Sequence, residues 1–144
     1  MSTLVIGLAA SFLAYRQFML GKAKLKYDLY EKRLALFNKV RTFASSFILY
    51  GETEPGEKCR EKLYAEMVEM HFLFDQEICT YVDNMYKKSK DYEQVKLELS
   101  TPNLSPEKKQ ALDKSLVANK VWFFDQHNEL IKLFSKDLSI KSLR

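Results

Sequence analysis

The chain has 144 residues, with 23 Lys or Arg against 19 Asp or Glu and a net charge of +4. At 47% apolar and 13% aromatic it carries enough apolar volume for one packed domain, which excludes a disordered chain. Four Gly and three Pro leave little material for strands and tight turns, so the expected class is all-α.

The first element is Leu4 to Tyr15, LVIGLAASFLAY, the only stretch free of charge for twelve residues. Extended to Thr3–Leu20 it holds 18 residues, about 27 Å as a helix, at the lower edge for a hydrocarbon core of roughly 30 Å. Arg16 and Gln17 lie inside that extension, and Arg16 would snorkel its guanidinium toward headgroups. Leu4, Val5, Ile6, Leu8, Phe12 and Leu13 are the candidate insertion residues. Gly7, Ala10, Ser11 and Ala14 fall on one helical side in small-xxx-small spacing, a pattern that allows close helix–helix approach in lipid. Arg16, Lys22, Lys24 and Lys26 form a basic collar behind the run. Arg16 to Arg41 carries eight Lys or Arg, with no Lys or Arg before the run. The positive-inside rule then sets the N-terminus outside and the body in the cytoplasm. Three rival readings compete with this anchor: a secretory signal peptide, which lacks a basic n-region and a small-residue cleavage site; a short core helix; and an interfacial helix, which would need a polar face.

From Lys22 to Tyr50 no Pro or Gly interrupts the chain, and Leu29, Leu36, Val40, Phe43 and Phe47 recur at helical spacing. The anchor is therefore expected to run on as one rod, ending at Gly51. Asp28 and Lys32 stand at i,i+4 in the favourable order. Glu52 to Gly56 reads as a turn, with Thr53 as cap and Pro55 in the first turn of a second helix. In that helix Leu63, Tyr64, Met67, Val68, His71 and Phe74 are expected to face inward. Asp75 caps a third helix on Ile78, Val82, Met85, Ser89 and Tyr92, which Ser100 to Leu104 ends. Ser105-Pro106-Glu107 starts a fourth: a Ser cap, Pro at the first helical position and an acid in the first turn. Val121-Trp122-Phe123-Phe124 is apolar nearly all round and is expected to be the most buried stretch. The architecture is an N-terminal membrane anchor, 1–21, continuing into an antiparallel bundle of about four helices, 22–135, and a polar tail, 136–144, that frays.

Chemistry is sparse. Cys59 and Cys79 form no CxxC and are expected to be reduced thiols. His71 and His127 sit on apolar stripes and read as packed core imidazoles rather than ligands or bases. There is no GxSxG, P-loop, GxGxxG or HExxH, and no di-iron ExxH pair. Asn103-Leu104-Ser105 matches a glycosylation sequon that a cytoplasmic location leaves idle. These absences point away from an enzyme, a metal, a cofactor and nucleic acid.

Leu25-Lys26-Tyr27-Asp28-Leu29-Tyr30-Glu31-Lys32-Arg33 resembles the juxtamembrane pattern LxxDL[FY][ED][KR]R of small, uncharacterised bacterial single-pass membrane proteins, and Phe72 to Ile78 is similar to a second block of that group. The resemblance implies a helical inner-membrane protein and supplies no activity. Asp28 and Arg33 lie about 140° apart around a helix, so they need not pair with each other: each either bonds to a neighbouring helix or belongs to a solvated charged face. The leading expectation is a non-enzymatic scaffold at the cytoplasmic face, whose partners are the lipid bilayer and an unidentified protein or a second copy, as a homo-oligomer. The alternatives are a small toxin that permeabilises the bilayer through its N-terminal helix, and a soluble subunit whose first helix docks into a partner.

Overall fold

The computed structural model describes residues 2–49 and 55–139, with side chains described for 6–47 and 58–139. The described chain is all helical: α1 Ser2–Leu49, α2 Pro55–Leu73, α3 Gln76–Leu99 and α4 Pro106–Phe134. α1 runs for 48 residues without a break at Gly21, about 72 Å end to end. Its first half is a free-standing rod and its second half is the first helix of a four-helix bundle, the helix count expected from the sequence.

Each helix packs against its two neighbours in chain order, and α4 returns to α1. All four interfaces are antiparallel, as pairs at opposite ends show. Arg33 Nε of α1 donates to the Leu73 carbonyl at the end of α2 (2.7 Å), while Lys39 pairs with Glu66 one turn and a half further back. Tyr64 stacks on Tyr86 and Arg60 pairs with Glu93 across α2 and α3. Phe37 meets Phe134, and Phe47 meets Phe123, across α1 and α4. Short connections between successive helices make this up-down-up-down order the natural one.

The core is built from Leu36, Val40, Phe43, Ala44 and Phe47 of α1, Leu63 and Met70 of α2, Ile78, Val82, Met85 and Tyr92 of α3, and Phe123, Leu130 and Phe134 of α4, with Phe74 at the α2–α3 turn. Its centre is aromatic. Phe47 stacks on Phe123 at 4.3 Å and stands edge-on to Phe43 and Tyr92. Aromatic pairs of this kind add about 0.5–1.5 kcal/mol each beyond area burial.

Local signals explain the helix ends. Asp75 occupies the N-cap of α3 in an extended conformation, although its side chain makes no capping bond. The Ser105 side chain accepts from the Lys108 amide at 3.3 Å and Pro106 follows it, as expected. The same hydroxyl belongs to the sequon, so the serine has a structural task. In the connecting loop Asn103 has φ 65°, a left-handed conformation that Asn tolerates better than most residues. Thr53, Gly51 and Tyr50 lie outside the described residues.

Several expectations need correction. Lys32 pairs with Glu69 (3.9 Å) rather than with Asp28, whereas Arg33 does reach across to a neighbouring helix. Tyr64 and Val68 are exposed, and Met70 takes the inward position, because burial on α2 follows Leu63, Met70 and Phe74. His71 and His127 are both exposed and are not core imidazoles. Of the Val121–Phe124 run only Phe123 is fully buried; Val121 and Phe124 face solvent. A helix in a bundle of four has one face in the core, so an all-round apolar run must leave some of its residues outside. The start of the tail does not fray at once: the Leu138 amide bonds to the Phe134 carbonyl (3.0 Å) and its side chain packs against the core.

Candidate functional site

Among the described residues, the first half of α1 packs against no other helix. Ile6, Leu8, Phe12, Leu13, Tyr15, Phe18 and Leu20 keep 60–68% of their surface open. A chain that could bury these side chains against itself would do so, at about 25 cal/mol per Å² of apolar area. Their directions rule out a single covered face. At 100° per residue, Phe18, Leu8 and Leu20 point to three different sides of the axis. A helix that is apolar all round calls for an apolar surrounding on every side, which a flat protein surface does not supply.

Gly7, Ala10, Ser11 and Ala14 share one side of this rod and all are exposed. A Cβ added at Gly7 or at Gly21 would meet nothing within 4 Å. The small-residue face is thus unused within one chain. The side chains of Leu4 and Val5 lie outside the described residues. Among the described residues, no helix is long and apolar enough to cross a membrane.

The collar follows directly. The Arg16 guanidinium lies over the Phe12 ring at 6.0 Å, directed back along the rod. Lys22 and Lys24 are exposed and Lys26 is half-buried. A hydrogen bond to Glu31, helped by that carboxylate's charge, raises the Tyr27 pKa above its ordinary value.

On the bundle, two rows of apolar side chains are also left open. Tyr64, Val68 and Phe72 descend α2 at i, i+4 and i+8, and Phe72 is 83% exposed. Val117, Val121, Phe124 and Ile131 form a second row on α4. Sequence reasoning missed both because it turned Tyr64 and Val68 inward and took Val121–Phe124 as the most buried stretch. The signal was present in α4: Phe123, Leu130 and Phe134 make one face, and the row lies roughly 130° around the axis from them.

Among the described residues, no group of three His, Cys, Asp or Glu side chains converges on a metal position. An open groove of about 560 Å³ runs along α2 and α3, lined by Arg60, Lys90, Glu93, Gln94, Lys96 and Leu97. A recess of about 250 Å³ between α1 and α2 includes Cys59, Lys39, Lys62 and Phe43. Cys79 is buried, and its thiol pKa is raised by burial and then by the charge of Asp75. The Tyr81 hydroxyl donates to the Gln126 carbonyl at 3.2 Å, and burial with a smaller push from Glu129 raises its pKa to about 12.

No family model, curated protein or solved structure matches this chain.

Proposed function

We propose that this protein is a membrane-tethered helical scaffold: the first half of α1 inserts into a bilayer, and the bundle is displayed on the cytoplasmic side. The observation that supports this reading is the rod itself, a helical segment with exposed apolar side chains on all sides. Lipid is the surrounding that covers every side at once. From Ser2 to Leu20 the helix measures about 28 Å, close to a hydrocarbon core of roughly 30 Å. Arg16 then falls near the inner boundary, where its stem stays in the apolar layer and its head reaches phosphate.

Orientation rests on the collar. Lys22, Lys24 and Lys26 follow the apolar run and favour the cytoplasmic side for the bundle. The resemblance of the Leu25–Arg33 segment to small bacterial single-pass proteins favours a bacterial inner membrane. The role proposed for the bundle is recognition rather than catalysis. Its open apolar rows on α2 and α4 suit protein partners, and tethering raises their encounter frequency in the plane of the membrane.

The test is carbonate washing of membranes from cells that express the full chain, beside Leu8→Arg/Leu13→Arg. Each Arg costs about 2.5–3.5 kcal/mol at the centre of an inserted helix. Wild-type chain in the washed pellet and the double variant in the supernatant, with equal helix content, support insertion. Wild-type chain in the supernatant sinks it.

A further inference from the structure

The outer row of α4 has a spacing that goes beyond a random scatter of exposed side chains. Val117, Val121, Phe124, Asn128 and Ile131 are separated by four, three, four and three residues. They span about 80° of arc on the side of α4 turned away from its own core. This is the seam of a heptad repeat. In that frame Val121 and Asn128 take a positions, and Val117, Phe124 and Ile131 take d positions. Phe124 is 63% exposed and Val117 60%, so none of the described residues covers the seam.

We infer that α4 pairs with the α4 of a second copy of this chain, side by side and parallel, to form a two-fold dimer. Three features select this occupant. The first is self-complementarity. A parallel pair aligns like positions, so Val121 meets its own counterpart, Phe124 likewise, and Asn128 meets Asn128. An antiparallel pair centred on the same seam sets Asn128 against Val117, leaving the Asn amide without a partner in an apolar layer. A single Asn at an a position is a known selector of register in parallel pairs.

The second feature is charge. Lys120 and Asp125 occupy g and e positions five residues apart, the spacing at which a parallel partner's charge is met. Among the described residues neither forms an ion pair, where the intrahelical pairs of α3 and α4 use Lys87–Asp83 and Lys132–Glu129 instead. Two symmetric Lys120–Asp125 pairs would flank the Val121 and Phe124 layers of the seam.

The third is direction. α4 runs antiparallel to α1, as the order of the Phe37–Phe134 and Phe47–Phe123 contacts shows. A two-fold axis along paired parallel α4 helices therefore sends both α1 rods out of the same end of the dimer. Two copies held in one bilayer can meet in this way, and an antiparallel pair would send the rods in opposite directions. Only this third feature rests on the membrane reading; the first two stand on α4 alone.

The experiment uses the full chain in mild detergent and in native membranes, with Cys59→Ser and Cys79→Ala as background. Val121→Cys and Asn128→Cys are each expected to form a disulfide dimer with their own counterpart under gentle oxidation. Val68→Cys, on the α2 row, is the control that stays monomeric. Phe124→Glu should weaken association by about thirtyfold or more, as loss of a central aromatic anchor does, with circular dichroism unchanged because the side chain is outside the core. Lys120→Asp should weaken the dimer, and adding Asp125→Lys should restore it. A cross-link at Val121→Cys without one at Asn128→Cys would overturn the parallel arrangement. A chain that sediments as a monomer, or that cross-links through Val68→Cys instead, would overturn the α4 seam. The two proposals separate cleanly: a dimer recovered in the carbonate supernatant keeps the seam and removes the anchor, and a monomer in the pellet does the reverse.

Discussion

Replacing Phe123 by Ala tests the assignment of the bundle's centre. Phe123 is fully buried, lies flat on Phe47 at 4.3 Å, and stands edge-on to Trp122 at 5.0 Å and to Phe43 at 6.4 Å. Removing its ring forfeits burial free energy of about 1.5–3 kcal/mol. The aromatic pairs add about 0.5–1.5 kcal/mol, and the void left between three rigid rings cannot collapse fully. The expected loss is about 4 kcal/mol, within the range known for Phe→Ala at closed sites. Domains of this size hold roughly 5–15 kcal/mol in total, so the variant should be folded but close to the edge. Urea titration followed by helical circular dichroism reads the change. With a slope of about 2 kcal/mol per molar urea, the midpoint should fall by about 2 M. Phe72→Ala, at a site 83% exposed, should shift stability by less than about 0.5 kcal/mol. A Phe123→Ala loss no larger than that of Phe72→Ala would refute the placement of the core.

Two further outcomes rest on named contacts. Ser105→Ala should cost about 1 kcal/mol, because the Lys108 amide loses its acceptor, while Ser105→Asp should keep most of it; a thermal melt in which both variants match wild type would refute the cap. Stability should stay flat with respect to tyrosine titration below pH about 10 and fall as pH rises through about 12, because folded Tyr81 holds its proton more tightly than the unfolded chain does. Buried Tyr92 acts in the same direction. Tyr81→Phe should flatten this alkaline limb, and an unchanged limb in denaturant titrations across that range would show that Tyr81 is not held as described.

The helices and the starts of α3 and α4 were legible in the residues, because local chemistry decides them. Ser105-Pro106, Asp75 and the Pro102-Asn103 break each act through the backbone of their own neighbours, and α1 continued through Gly21 because nothing local stops it. The apolar rod and its collar were equally visible, since charge-free length is a one-dimensional property. The two exposed rows were not. Whether an apolar residue on a helix faces the core or the outside depends on which neighbours surround that helix and at what angle. α4 has apolar residues on two faces, and its sequence treats them alike; packing against α1 and α3 buries Phe123 and Leu130 and leaves Val121 and Phe124 outside. The same holds for His71 and His127, which share stripes with buried Leu63 and Phe123 and yet face outside. Periodicity states that a face exists, and only the assembled bundle chooses which face is left for a partner.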